Sequence, residues 1–338
     1  MCLGLFILFC YFIFTNATHF NGGTIGWAPV NPYDNSTSVK ITITQSYSWT
    51  YPYIKCASNV PISTSGWSGA NTNLTCVVDC STDGGYSSAP INILTDCTSS
   101  SSSLKMMTSE KSKNVTLSAG AHFYLAYRGS AWVGLNDPAQ QGLDWSIITY
   151  IDLRKRSDGF INTSPVAKFV SPQYAIVNKT IQINIPVSDV NAGDDVRCRW
   201  STYTSGYRRR RRSNDEDRVE DFIDGTSIIP MSSVPVQFLI YVQSQPVCST
   251  EPIIIPPDRC LEVQVGISIS FNLSAMNLCN PSVATLTDIL VSSGITSMTH
   301  GNLTQSSTNS SIYYMTFTWT PQTNQVGSQQ LCTTAYTR

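Results

Sequence analysis

The side chains best suited to chemistry in this sequence lie in one acidic run, Asp189-Val190-Asn191-Ala192-Gly193-Asp194-Asp195. Calcium takes about six to eight hard oxygen ligands, often from a flexible turn that offers carboxylates, amides and backbone carbonyls. Four residues of the run supply this chemistry and are the predicted calcium ligands: Asp189, Asn191, Asp194 and Asp195. The alternative is a plain polar turn between two strands, and the lack of a distal Glu at EF-hand spacing favours the turn.

A second charged run holds five consecutive arginines, Arg208 to Arg212, followed by the acidic residues Asp215 to Asp217. Arg212 ends a basic stretch of the kind that proprotein convertases cleave, and adjacent guanidinium groups also attract sulfated glycans. The acidic residues can neutralise the arginines, which favours a solvated loop. Of the two active roles, cleavage after Arg212 is preferred because such a loop is accessible to proteases.

Signatures of catalysis are missing from the sequence. It has no Gly-x-Ser-x-Gly elbow, no His-Glu-x-x-His motif, no phosphate loop and no dinucleotide fingerprint. Its histidines are too scattered to suggest a Ser-His-Asp arrangement: His19, His122 and His300. Glu220 and Asp221 lie in a segment without strand pattern, where we expect solvated carboxylates. We therefore predict a protein that is not an enzyme, with no cofactor other than calcium.

The composition is typical of extracellular β-proteins. Only 13% of the 338 residues are charged, and the net charge is −1. The sequence is rich instead in small polar, β-branched and aromatic residues, which favour strands and turns. The near-zero net charge gives no reason to expect nucleic acid as a partner.

The chain begins with a short apolar segment, Met1 to Phe14, followed by small residues around Ala17. A helix that spans a bilayer needs about 20 apolar residues. Residues 1–17 are therefore predicted to be a cleaved signal peptide, with an uncleaved membrane anchor as the alternative. A membrane is otherwise expected only through an anchor downstream of this sequence, so the predicted location is extracellular, secreted or at the cell surface.

Nine cysteines follow the leader, in two sets of four around Cys198: Cys56, Cys76, Cys80 and Cys97, then Cys248, Cys260, Cys279 and Cys332. Such sets predict two disulfides in each outer part of the chain and an oxidising compartment. In the last set we expect Cys279–Cys332 to link two sheets and Cys248–Cys260 to fix the start of the domain. The first set allows three pairings, which stay open, and Cys198 has no predicted partner.

Asn-x-Ser/Thr sequons agree with passage through the secretory pathway. Eight asparagines are candidate glycosylation sites: Asn35, Asn73, Asn114, Asn162, Asn178, Asn272, Asn302 and Asn309.

Alternating apolar residues predict strands along most of the chain, as in Val39, Ile41 and Ile43. The predicted fold is all-β, with tandem antiparallel β-sandwich domains of immunoglobulin-like or cadherin-like type. Three domains are expected after the signal peptide: an N-terminal sandwich at 18–156, an incomplete sandwich at 163–246 that carries the Arg-rich loop 208–218, and a last sandwich at 247–338 that stops one strand short.

Three segments carry a resemblance to known extracellular modules. Phe317-Thr318-Trp319-Thr320-Pro321, with Gly327 and the alternating run to Tyr336, resembles the penultimate strands of cadherin-like (dystroglycan-type) and immunoglobulin-like modules. Pro172 to Asp189 resembles the second strand of such a module. With Gly22 to Trp27 at its start, the chain is similar to ectodomains of uncharacterised invertebrate cell-surface proteins. The resemblance implies adhesion or recognition without a defined ligand.

The sequence therefore predicts a secreted or cell-surface glycoprotein ectodomain that works in adhesion or recognition without catalysis. Its expected partner is an extracellular protein or a glycan. Two alternatives stay open: a passive structural spacer of a larger extracellular protein, and a glycan-binding or glycan-active β-sandwich.

Overall fold

The computed structural model describes residues 20–60, 72–130, 132–136, 139–140, 143–168, 171–200, 216–257, 260–327 and 329–338. Regular structure in these ranges is β-strand, apart from 3-10 turns at Cys80–Thr82, Tyr86–Ser88 and Thr323–Gln325. The predicted all-β fold is thus confirmed. The predicted signal peptide, residues 1–17, and Arg212 lie outside the described residues. No helix within the described ranges is long and apolar enough to cross a membrane.

The first part of the chain forms long antiparallel strands. Its strands are β1 (Phe20–Pro29), β2 (Ser38–Thr50), β3 (Thr75–Val78), β4 (Asp96–Ser101), β5 (Met106–Ser118), β6 (His122–Ser130), β7 (Leu135–Asn136), β8 (Ala139–Gln140) and β9 (Asp144–Asp152). Val39, Ile41 and Ile43 alternate along β2 and are all buried, as their period-2 pattern predicts.

An aromatic core fills the space between two layers, β1-β2-β5-β4 and β9-β6-β3. Phe20 is fully buried, and its ring centroid lies 4.8 Å from those of Trp49 and Trp145. Aromatic pairs at this separation add stability beyond the area they bury. The indole Nε1 of Trp27 on β1 donates to the carbonyl oxygen of Tyr150 on β9 at 2.8 Å, which ties the two layers together.

The middle of the chain forms shorter strands. They are β10 (Val166–Ala167), β11 (Gln173–Ile176), β12 (Val187–Ser188), β13 (Asp195–Trp200), β14 (Glu216–Phe222), β15 (Ser232–Phe238) and β16 (Ile240–Gln243). Most pairs are antiparallel, but β11 and β16 pair in parallel.

Strand β15 joins the middle of the chain to the first part. One edge pairs with β1 through residues 236–238 and with Tyr150 of β9, and the other edge pairs with β14. Gly22 on β1 makes this approach feasible: its φ is +142°, and a Cβ there would lie 2.1 Å from the carbonyl oxygen of Gln237. Every residue of β15 is buried. Strands β13, β14 and β15 therefore belong to the same sheet as the first sandwich, whereas β10 pairs with β12 and β11 with β16 in separate sheets.

The last part of the chain forms two small sheets around its own core. Its strands are β17 (Ile253–Ile255), β18 (Ile269–Met276), β19 (Leu286–Ser293), β20 (Thr299–His300), β21 (Thr304–Gln305), β22 (Ile312–Trp319) and β23 (Cys332–Thr337). This part contacts the first sandwich at β4 and β5, where the hydroxyl of Thr108 donates to the carbonyl oxygen of Val291 at 2.6 Å. Met106 and Leu290 are buried together beside this bond.

Three disulfides occur among the described residues: Cys56–Cys97, Cys76–Cys80 and Cys248–Cys279. The first two settle the pairing that the sequence left open. The expected Cys279–Cys332 and Cys248–Cys260 bridges are wrong. Strands β17 and β18 pair antiparallel, with Ile253 opposite Met276, and this ladder brings the flanking Cys248 and Cys279 together. Cys332 lies on β23 in the other sheet, Cys260 is exposed outside any strand, and Cys198 is exposed on β13.

Candidate functional site: a buried acidic cluster

The predicted calcium run lies in the turn between β12 and β13, next to the end of β14. Because β13 and β14 pair antiparallel with Asp195 opposite Phe222, the turn sits against the neighbouring residue Asp221. Carboxylate oxygens of Asp189, Asp194 and Asp221 lie within 4.8 Å of one another. We call these three residues the buried acidic cluster.

Arg156, from the loop after β9, neutralises part of this charge. Its guanidinium nitrogens Nη1 and Nη2 donate to the two carboxylate oxygens of Asp194 at 2.5 and 2.6 Å. The exposed fraction is 6% for the Arg156 side chain and 1% for that of Asp194. The guanidinium also lies 4.5 Å above the ring of Phe160. Burial opposes the charged guanidinium, but the hydrogen bonds and charge of Asp194 prevail and raise the pKa of Arg156.

Asp221 is fully buried on β14 and accepts three hydrogen bonds. Its Oδ1 accepts from the backbone N–H and the hydroxyl of Ser232, both at 2.7 Å. Its Oδ2 accepts from the side-chain amide of Asn162 at 2.5 Å. Burial raises the pKa of Asp221 to about 6, the hydrogen bonds oppose that rise, and the charge of Asp189 adds to it.

Asp189 has the fewest side-chain hydrogen bonds of the three residues in the buried acidic cluster. Its Oδ1 accepts from the backbone N–H of Asn191 at 2.8 Å, while the buried Oδ2 has no hydrogen-bond partner. Burial raises the pKa of Asp189, and the nearby Asp194 carboxylate raises it further. The three carboxylates of the cluster have one guanidinium between them, and Arg156 also pairs with Asp158 at 3.2 Å, so like charges are crowded around Asp189.

The four predicted calcium ligands do not converge on one point. Asp195 starts β13 and turns to Arg197, whose Nε donates to its Oδ2 at 2.6 Å. The side-chain oxygen of Asn191 accepts from the backbone N–H of Thr163 at 3.1 Å. Both oxygens of Asp194 are held by Arg156, so a guanidinium takes the place that a cation would need. The set predicted from the sequence therefore does not fit calcium.

Adding calcium is expected to leave the unfolding temperature of the protein unchanged. The reason is that Arg156 already compensates the Asp194 carboxylate, and its positive charge repels a second cation. Thermal unfolding followed by circular dichroism with calcium and with EDTA measures this. A rise in unfolding temperature that Asp194→Ala abolishes would restore the calcium hypothesis.

Stability is expected to depend on pH through Asp221. Its pKa is about 6 in the folded chain and about 3.9 in an unfolded one, so the folded state holds the proton more tightly. The stabilisation is fully present below about pH 4 and is lost as the pH rises through about 6, a loss of about 3 kcal/mol. Urea unfolding between about pH 4 and 7 measures it.

Asp221→Asn provides the matched control for this pH dependence. The amide carries no charge at any pH, so the variant is expected to show a flatter stability profile than the wild type over the same interval. Asp189 also has a raised pKa and contributes with the same sign in both proteins. Profiles of equal slope would contradict the assignment to Asp221.

Three residues of this site were missed or misread in the sequence. Arg156 was only the last residue of the predicted N-terminal sandwich, Asn162 was predicted to be a glycosylation site, and Asp221 was predicted to be a solvated carboxylate. The structure instead places Glu220 and Asp221 on β14 with 2% and 0% exposure. The sequence around each of these residues did not indicate the site, because the residues come together only when distant segments of the chain pair.

The candidate glycosylation sites differ in exposure. Asn73 is half-buried. Six of the asparagines are exposed: Asn35, Asn114, Asn178, Asn272, Asn302 and Asn309. Asn162 is only 2% exposed, and its two side-chain amide atoms bond Asp221 and Arg156. An N-glycan on Asn162 therefore does not fit the folded chain.

Comparisons with known proteins give one short similarity. No family model and no solved structure matches the chain. A segment of 43 residues is 49% identical to part of "Integrin beta-like protein B" of Dictyostelium discoideum. The match covers 13% of this chain and 2% of that protein.

Proposed function

We propose that this chain is an extracellular adhesion or recognition module that acts by binding and not by catalysis. The observation that carries the proposal is the set of three disulfides in an all-β chain. Disulfides form and persist in secreted and cell-surface proteins and are rare in the cytosol. Exposed sequon asparagines are compatible with the same compartment.

Adhesion is favoured over other extracellular roles by the short similarity to an integrin beta-like protein. The matched segment is a small part of that protein, so its activity comes to this chain only as a proposal. The strand pairing also supports a recognition role. Strand β15 pairs with β1, β9 and β14, and the resulting sheet gives a rigid support for surface loops. Rigid scaffolds that present loops are a common basis for recognition.

The first test is the fate of the chain in a eukaryotic cell that expresses the full sequence. We expect it in the medium or at the cell surface, with the three disulfides found by peptide mapping of unreduced protein. Glycan mapping is expected to find modified asparagines among the exposed sequons and an unmodified Asn162. A cytosolic chain with free thiols at Cys56, Cys97, Cys248 and Cys279 would contradict the proposal.

The second test asks whether the protein binds a partner. Purified, fluorescently labelled chain is expected to bind cell surfaces saturably, and unlabelled chain is expected to compete. A secreted β-sandwich of unrelated sequence serves as the control for non-specific adsorption. A secreted, correctly bonded chain that binds no cell surface and no glycan array would favour the passive spacer.

A further inference from the structure

Strand β5 has an edge that is covered over only part of its length. Strand β4 pairs with residues 106–110 of β5. From residue 111 to residue 117, β5 pairs with β2 on one side and with no other strand of the described chain. Such an edge presents backbone N–H and C=O groups to which an added strand can bond.

A groove of about 640 Å³ runs beside this edge. Residues 85–92 form its facing wall, and Ile91, Val115 and Leu117 give it an apolar part. Asn59 and Asn92 add amide groups to the lining. Ligand-binding clefts have volumes of about 300–1,000 Å³ and combine an apolar lining with a few polar groups. The volume of the groove lies within that range, while its lining is mostly polar.

Two lysines of β5 point toward this groove. Lys111 lies opposite Gln45 and Lys113 opposite Ile43, both of which are buried on the core side of β2. Directly opposed residues of antiparallel strands share a face, so both lysines lie on the core-facing side, in line with Leu117. The ammonium of Lys111 is 3.6 Å from the carboxylate of Asp96. Lys113 is exposed and takes part in no ion pair of the described residues.

The spacing of the lysines matches that of an extended peptide. Residues two apart on a strand are separated by about 7 Å, and side chains of a second strand on the same face repeat at the same distance. A peptide lying along residues 111–117 would therefore place alternate side chains beside Lys111 and Lys113. A carboxylate beside Lys113 would complement its ammonium group, whereas a carboxylate beside Lys111 would compete with Asp96 and with the side-chain oxygen of Asn59, to which that ammonium donates.

We propose that this groove binds an extended peptide with acidic side chains at alternate positions, which adds as a strand to residues 111–117 of β5. Backbone hydrogen bonds to the edge supply affinity, and Lys113 supplies most of the selectivity for carboxylates. The inference rests on the proposed function, because it names the chemistry of the partner that the recognition module binds.

Asn114 has to be controlled in any test of this site. Its side chain lies on the opposite face of β5 from the lysines, where its Oδ1 accepts from the hydroxyl of Thr42 at 2.8 Å. A glycan on this exposed sequon would stand beside the same edge. Binding is therefore measured in the full chain carrying Asn114→Gln.

The experiment uses a fluorescein-labelled peptide of four Thr-Glu repeats and measures fluorescence anisotropy. Lys113→Glu is expected to weaken binding by at least about tenfold. Lys40→Glu is the matched control: Lys40 lies on β2 opposite Thr116, exposed on the other face of the same sheet. It makes the same change in net charge and is expected to alter binding by less than about twofold. Equal weakening by both substitutions would overturn the proposal, since it would show non-specific charge attraction.

Two further probes separate strand addition from other modes of binding. N-methylation of alternate amides in the Thr-Glu peptide removes backbone hydrogen bonds and is expected to abolish binding. A hyaluronan oligosaccharide tests the carboxylate-rich glycan instead. Binding of the glycan but not of the peptide, or full binding of the methylated peptide, would overturn the proposal, as would no binding of the Thr-Glu peptide.

Failure here can be told apart from failure of the proposed function. If the secreted, disulfide-bonded chain still binds cell surfaces while the peptide does not bind, the recognition role stands and the groove is excluded as the peptide site. Inward-pointing lysines on an edge strand would then act only to prevent strand-to-strand aggregation.

Discussion

Replacing Arg156 by Met is expected to lower the free energy of unfolding by about 3–5 kcal/mol. The guanidinium holds both carboxylate oxygens of Asp194, and both side chains are at least nine-tenths buried. Removing one partner of such a pair leaves an uncompensated buried charge. Arg156 also donates to Asn162, which in turn donates to Asp221, so the loss extends to the rest of the buried acidic cluster. Chemical denaturation of the full chain measures the effect.

Arg154 offers a matched control two residues earlier. It forms the same kind of ion pair, with Nη2 donating to Asp152 at 2.5 Å, but its side chain is 55% exposed. Exposed pairs contribute about 0–1 kcal/mol, so Arg154→Met is expected to change stability by no more than that. Adding Asp194→Asn to Arg156→Met is expected to recover part of the loss. Equal effects of Arg154→Met and Arg156→Met would contradict the importance of burial.

Removing the Cys56–Cys97 disulfide with a pair of serines is expected to cost about 4 kcal/mol of unfolding free energy. The two cysteines are separated by 41 residues, and a bridge that closes a long loop restricts the unfolded chain strongly. It also holds the loop after β2 against β4, where the backbone N–H of Cys97 donates to the carbonyl oxygen of Ala57. Urea unfolding of non-reduced protein measures the difference.

The Cys76–Cys80 disulfide provides the comparison within the same sandwich. Its cysteines are only 4 residues apart, so its removal is expected to cost about 2 kcal/mol by the same loop argument. A cost equal to or above that of the Cys56–Cys97 variant would show that loop length does not govern these bridges. Peptide mapping of each variant verifies that the remaining cysteines keep their native pairing.

Local patterns in the sequence predicted the strands better than their partners. The alternation of Val39, Ile41 and Ile43 identified β2 because a half-buried strand needs nothing beyond its own residues to show period 2. Val234, Val236 and Phe238 alternate in the same way along β15. Its position between β1 and β14 was not predictable, since it depends on Gly22 and on pairing between residues more than two hundred positions apart.

In the candidate site, too, residues close together in the sequence were predicted and residues from distant segments were not. The acidic run from Asp189 to Asp195 was found from its composition, and Asp189 and Asp194 do belong to the cluster. Asp195 was predicted to join them but lies at the start of β13 and bonds Arg197. Arg156 and Asp221 reach the site only through the fold, so no spacing along the chain could have indicated them.

The position of β15 has a consequence for how this protein can be divided. A fragment ending near residue 168 would lack this strand and would leave the edges of β1 and β9 open to the formation of intermolecular sheets. Exchange of modules with other proteins at that boundary would meet the same obstacle. A fragment that keeps the strand partners of β1 and β9 therefore extends at least from Phe20 to Phe238.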